Sequence, residues 1–190
     1  MVSSQALYAA LIGAIYAERL LEVIVSERNA RRLLAAGGVE AGRRHYPAMV
    51  AFHALFPAAC AAEALWLRRA FPGPLGWTAL ALVSAAQGLR WWCVAALGER
   101  WTVRVIVVPG APPITDGPYR RLRHPNYLAV LVEVVALPLV HGAWLAAIVA
   151  SIGNAALLGV RVRCEERALG AAWQAAFAGR PRFFPEVRRD

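Results

Sequence analysis

Gly117-Pro118-Tyr119-Arg120-Arg121-Leu122-Arg123-His124-Pro125-Asn126-Tyr127 is a polar, strongly basic island that runs straight into an apolar segment starting at Leu128. The apolar run to Val140, the dipeptide His141-Gly142 and a second apolar run over 143–160 lead to another polar patch, Arg161-Val162-Arg163-Cys164-Glu165-Glu166-Arg167. Two apolar runs split by one His-Gly pair read as a tight helical hairpin, which returns the chain to the side it left. Each run is shorter than the roughly 20 residues needed to cross the hydrocarbon core, so the hairpin is tilted or does not fully cross. Two charged patches facing each other across one apolar hairpin point to a site built at a membrane surface.

Upstream lie three more apolar spans: 4–25, interrupted by Glu18, Arg19 and Glu22, then 46–67 and 75–97. The expected fold is therefore all-α, a polytopic integral membrane protein with about five transmembrane helices. A short amphipathic C-terminal helix carrying Leu169, Trp173 and Phe177 would lie on the membrane and close the site. Composition agrees. The chain is 59% hydrophobic and 17% charged, against roughly 45–50% and about 25% for soluble domains. Its 190 residues suffice for one domain.

All 21 basic residues are arginine. In a five-span arrangement 18 of them fall on one side, in the segments between spans one and two, between spans three and four, and in the tail; only Arg68 and Arg69 fall opposite, and Arg90 lies within span three. The positive-inside rule makes the arginine side cytoplasmic, with the N-terminus outside and the C-terminus inside. No Lys or Arg precedes the first apolar run, so it does not read as a secretory signal peptide. The net charge of +9 flanks apolar spans instead of forming a solvated face, so anionic lipid headgroups are the expected partner and nucleic acid is not. Cys60, Cys93 and Cys164 are scattered and lack ligand spacing, which argues against a disulfide framework and against a metal site.

The first polar patch packs Tyr119, Arg120, Arg121, Arg123, His124 and Tyr127 into nine residues. A plain juxtamembrane anchor would use arginines on headgroups and tyrosines in an aromatic belt. The density of groups, closed by Pro125 at a helix start whose free N–H groups suit an anion, favours a site. Glu165 and Glu166 repel one another and gain nothing from lipid. Either they pair with Arg161, Arg163 and Arg167, or they open a new helix over 165–177 and bind a cationic or hydroxyl-rich ligand. Glu63, Gln87, Arg90, Glu133 and Asn154 sit inside apolar spans, where a charge costs roughly 2.5–3.5 kcal/mol. Arg90 paired with Glu133 or Glu63 inside the bundle is one reading; Arg90 or Asn154 lining an acceptor tunnel is the other. Trp91, Trp92 and Trp101 either pack a lipid chain or form an interfacial belt. His45 and His53, eight residues apart, lie near one helical face, as interfacial or core histidines or with one approaching the cavity.

Gly117-Pro118-Tyr119, Arg123-His124-Pro125-Asn126-Tyr127 and Glu165-Glu166-Arg167-Ala168-Leu169, separated by one apolar hairpin, resemble the isoprenylcysteine carboxyl methyltransferase family over roughly 85–185. The resemblance implies a membrane enzyme using S-adenosylmethionine. It implies a cofactor pocket from Tyr119, His124, Pro125, Tyr127, Glu165 and Glu166, with Arg123 placing the acceptor. It divides the chain into N-terminal spans and an acceptor-side segment, 1–84, and a cofactor-binding core, 85–190, facing the cytoplasm of a bacterial inner membrane. Ala129 replaces the family's usual glycine after the tyrosine, and Trp173 and Phe177 stand where tyrosines are common; Arg182 and Pro185 resemble its terminal Arg…Pro pattern. The polar set Glu18, Glu22, Glu40, His45 and His53 resembles the bacterial branch encoded beside type III polyketide synthases. That branch implies an amphiphilic pyrone or phenolic lipid as acceptor. The expected catalytic set is Arg123, His45 and Glu40, with Arg90, His53, Trp91, Trp101 and Asn154 as the expected acceptor contacts. A prenylated cysteine carboxylate and a lipid-headgroup amine are the rival acceptors. Outside enzymes, a scaffold would not need Glu165-Glu166 opposite Arg123-His124, and a transporter should show repeated halves or broken helices, which the sequence lacks.

Overall fold

The computed structural model describes residues 3–183. Five helices carry the architecture: α1 (Ser4–Ala35), α2 (Tyr46–Trp66), α3 (Pro74–Leu97), α4 (Pro125–Leu139) and α5 (Trp144–Ala176). Their starts follow local chemistry. The Ser3 hydroxyl accepts the Ala6 N–H at 3.2 Å and caps α1. Proline occupies the first turn of α2, α3 and α4, where its fixed φ suits a helix and its missing N–H has no partner to lose. α5 has no side-chain cap of its own. Glu63 of α2 supplies one, accepting from the N–H groups of Leu145 at 3.2 Å and Ala146 at 2.7 Å, with Arg69 at 2.9 Å. A carboxylate is stabilised at a helix N-terminus, so Glu63 fastens α2 to the hairpin and does not pair with Arg90.

The hairpin of α4 and α5 packs into the middle of the bundle, with α3 lying most closely along α4. Ala79 and Val83 of α3 meet Val130, Val134 and Leu137 of α4 in the main buried cluster. Gly76 is equally restricted, since a Cβ there would come within 2.9 Å of the Val140 carbonyl. Small residues at such contacts let helix backbones approach closely, the usual route to helix association in lipid. The outward faces are apolar: Leu55, Trp66, Ile148 and Ile152 are more than half exposed. Charge is turned inward instead. Arg19 and Arg90 both reach Glu133 at 2.7 Å, Arg19 also pairs with Glu22, and Glu22 and Glu133 are buried. Apolar surface outside and paired charge inside is the arrangement a bilayer imposes. α2, the stretch Pro74–Arg100 and α5 are long and apolar enough to cross a membrane. α4, at 15 residues, is about 22 Å long, and α1 is long but interrupted by charge.

Two features depart from expectation. The helical fold carries a small ribbon: β1 (Val39–Ala41) pairs antiparallel with β2 (Val105–Val107), Val39 opposite Val107. Three-residue strands are too short to register as an alternation, and their pairing is set by distant helices. The second concerns the C-terminal helix. No new helix begins at Glu165; α5 continues through it and breaks at Gly170, whose φ of 71° and ψ of −167° only glycine adopts without strain. The two glutamates thus lie on the shaft of α5, and Trp173 and Phe177 lie beyond the break. Pro185, Arg188 and Arg189 lie outside the described residues.

Candidate functional site

The segment between α3 and α4 is laid over the cytoplasm-facing end of the bundle expected from the arginine bias. α1 pins it: Asn29 Nδ2 donates to the carbonyls of Gly98 at 3.1 Å and Trp101 at 2.9 Å, and the Ser26 hydroxyl accepts from Val103 N–H at 3.0 Å. The ribbon of β1 and β2 is fastened by Glu40, which binds Arg104 and Arg43. The hydrogen bond from Arg104, with that from Arg43, holds the Glu40 carboxyl below its ordinary range against the opposing effect of burial. The chain then turns at Gly117, φ 56°, where a Cβ would crowd Ala96 Cβ at 3.0 Å and Trp92 Nε1 at 3.1 Å.

His124 sits just before α4 and stacks on Tyr127, ring centroids 5.2 Å apart, with Trp173 at 5.4 Å on another side. Its Nε2 donates to Glu166 at 3.1 Å. Arg182 grips the same carboxylate with two nitrogens, at 2.9 and 2.6 Å. The tail runs back along the motif loop: the Arg123 and His124 N–H groups donate to the carbonyls of Pro181 and Arg182 at 2.9 and 3.1 Å. Arg123 Nε donates to the Arg180 carbonyl at 2.6 Å, and Arg180 donates to the Tyr119 carbonyl at 2.7 Å. Burial raises the Tyr119 phenol above its ordinary range, with the Cys93 thiol adding to the shift, so Tyr119 stays protonated at neutral pH. Inside, Arg161 Nε donates to Tyr127 Oη at 2.7 Å, and the Tyr127 hydroxyl donates to Glu165.

Two cavities flank this core. The smaller, about 190 Å³, is lined by Tyr119, Arg123, His124, Tyr127 and Glu165, with apolar strand β2 and Trp173. The larger, about 350 Å³, is walled by residues of all five helices, among them Arg90, His53, Asn154 and many aliphatic side chains. They share Trp101, Thr102, Asn126, Tyr127 and Arg161. Trp101 is 3% exposed and Arg161 6%. Asn126 Oδ1 is buried at this wall without a hydrogen-bond partner among the described residues. The larger cavity is bordered by Leu20, Val23 and Val50, all strongly exposed on the outer surface, so it opens sideways toward the apolar exterior.

The structure therefore brings Tyr119, Arg123, His124, Tyr127 and Glu165 together, and Arg90, His53, Trp101 and Asn154 around the neighbouring space. Pro125 starts α4, and Glu166 stands behind His124 without lining either cavity. Glu40, His45 and Trp91 line neither. Glu40 is occupied by two arginines, His45 packs against the Gly42 turn, and Trp91 Nε1 donates outward to Glu18. Burial and the nearby Arg161 lower the His45 pKa. Sequence reasoning passed over Asn126 and Arg161. Arg161 precedes Glu165 by four residues, hence shares its helix face, but which way that face points depends on α4.

The sequence model of the isoprenylcysteine carboxyl methyltransferase family matches residues 79–171, which include both polar patches and the hairpin. The chain is 34% identical over 161 residues to the uncharacterized protein YpbQ of Bacillus subtilis (strain 168), covering 84% of this chain and 94% of that one. It is 28% identical over 158 residues to an uncharacterized protein of Haemophilus influenzae, covering 83% and 91%. Motifs, helical hairpin and matches agree: the chain belongs to the isoprenylcysteine carboxyl methyltransferase family of membrane methyltransferases.

Proposed function

We propose that the protein is an S-adenosylmethionine-dependent O-methyltransferase whose acceptor is an amphiphilic, polyketide-derived pyrone or phenolic lipid entering from the bilayer. The observation that carries this reading is the wall of Trp101, Thr102, Asn126, Tyr127 and Arg161 common to both cavities. A methyltransferase needs donor and acceptor in contact but separately held, and alignment of this kind can be worth on the order of 7–11 kcal/mol.

The smaller cavity suits the cofactor by its donor set. The Glu165 carboxylate lies in its wall beside the faces of Tyr119, His124 and Trp173, which suit a cation and a purine. Asn126 Oδ1 has no donor among the described residues and suits a donor on the cofactor. Bound there, S-adenosylmethionine would supply an already activated methyl group. Arg161 orients the acceptor oxygen, held in place by Tyr127. Trp101 and Val130 exclude water. An acidic enol or a carboxylate, with a pKa near 4 for the latter, arrives ionised and needs no base; a phenol near 10 does. The charged and amide side chains on the larger cavity suit an acceptor with several oxygens better than a plain isoprenyl chain.

Purified protein with methyl-labelled S-adenosylmethionine should label a long-chain 6-alkyl-4-hydroxy-2-pyrone in preference to N-acetyl-S-farnesylcysteine. The reverse preference assigns the acceptor to the prenylcysteine class. Labelling of neither, by folded protein, removes both.

For topology we propose five crossing helices in a bacterial inner membrane, the motif end facing the cytoplasm. The charges of α1 are the main objection, and their pairing with Arg90 and Glu133 meets it. Tags at the two termini should report opposite faces of the membrane; equal accessibility would reject the odd count.

A further inference from the structure

The charged groups of the larger cavity are not scattered. On α1, α4 and α5 a polar residue stands seven positions from the wall shared with the smaller cavity, or from a residue that braces that wall. On α5, Asn154 lies seven residues before Arg161; on α4, Glu133 lies seven after Asn126; on α1, Arg19 lies seven before Ser26, which holds Val103 beside Trp101. On α2, His53 lies one turn beyond Met49, whose Sδ meets Arg161. Seven residues are about 10 Å of helix. The cavity thus has two polar layers, about two turns apart on α1, α4 and α5, with aliphatic wall from Val50, Val130 and Leu157 between them.

The deeper layer is incompletely satisfied. Asn154 is 4% exposed, lines the cavity, and makes no side-chain hydrogen bond among the described residues. His53 also lines it and makes none among them. Arg90 Nε and Glu22 Oε1 are buried and face each other as an ion pair at 3.6 Å, too far for a hydrogen bond, and neither atom makes one among the described residues. Buried polar groups are normally paired, and leaving them unpaired is costly; an apolar chain passing this layer would leave them so. The layer has no excess positive charge to hold an anion, because Glu22 and Glu133 match Arg19 and Arg90, and Glu18 stands beside them on α1.

We infer that the larger cavity contains a second polar subsite, formed by His53, Arg90 and Asn154, which receives a neutral oxygen of the acceptor about 10 Å from the atom that is methylated. The acceptor is then a bipolar amphiphile: an acidic head, a short apolar spacer and a carbonyl or hydroxyl along the chain. This rests on the larger cavity being the acceptor site proposed above.

The test uses two probes of equal chain length, 6-undecyl-4-hydroxy-2-pyrone and its analogue with a ketone on the fifth chain carbon. They are offered together to the full-length protein in detergent, and native mass spectrometry reads which is retained. The ketone probe should be retained about 10-fold over the plain one, the equilibrium worth of a well-made hydrogen bond. Asn154→Leu should bring the ratio to within about two-fold, and His53→Phe should lower it too. Equal retention, or retention of neither, by the wild-type protein overturns the subsite, as does a ratio that survives both substitutions. Labelled methyl transfer is read on the same samples. Selective retention without transfer upholds the subsite and sinks the methyl-transfer reading of the cavity. Transfer to both probes at equal rates does the opposite.

Discussion

Arg161→Lys is expected to lower methyl transfer by on the order of 100-fold, about 2.7 kcal/mol in the barrier, because the acceptor oxygen is already ionised and is aligned by the guanidinium, with its charge falling as the methyl group transfers. Arg161 is the cation found in the walls of both cavities among the described residues. Its Nε is held by Tyr127, itself held by Glu165, and among the described residues Nη1 meets Met49 Sδ, at 3.4 Å. Lysine keeps the charge but cannot both grip Tyr127 and present a planar fork to an enolate or carboxylate oxygen. Cofactor affinity, measured by calorimetry, should stay within a few-fold, because the loss falls on alignment. Arg123→Lys is the comparison. Arg123 lines the smaller cavity and spends Nε on the Arg180 carbonyl. If Arg123 places the acceptor, as family resemblance implies, the order of the two losses reverses and Arg161 is reduced to a structural partner of Tyr127.

Glu166→Ala should weaken S-adenosylmethionine binding by about 10- to 100-fold, the roughly 1.5–3 kcal/mol of a hydrogen bond to a charged group. Glu166 lines neither cavity; it acts through His124, whose Nε2 it accepts, and through Arg182, which holds the tail against the motif loop. Without it, the His124 ring loses the bond that sets its angle between Tyr127 and Trp173. The defect should therefore lie in cofactor affinity and be largely overcome at saturating cofactor. Glu166→Gln, which keeps an acceptor for His124 and loses the charge partner of Arg182, should fall between. Unchanged affinity in Glu166→Ala, with the protein folded, would separate His124 from the cofactor pocket.

What the sequence determined by itself is the set of elements and the place of the site along the chain. The apolar runs ended by proline and glycine marked all five helices to within a few residues, except that α1 and α5 extend well beyond their apolar parts. That pattern is local, since a helix in lipid must be apolar outward over its length. The Arg123-His124-Pro125 motif and the glutamate pair were legible for the same reason: they are dense polar groups where composition otherwise forbids them. Of the two carboxylates offered to Arg90 as partners, Glu133 and Glu63, the helix packing chose Glu133. Three matters were settled only by the tertiary structure. Glu63 turned from a candidate ion-pair partner of Arg90 into the cap of α5, because α2 happens to end beside Leu145. The β1–β2 ribbon depends on segments more than 60 residues apart, beyond any local periodicity. Arg161, Asn126 and the seven-residue offset of the inner charges acquire meaning only once four helices are aligned, because a helix repeats its faces every few residues and the sequence does not say which face meets which neighbour.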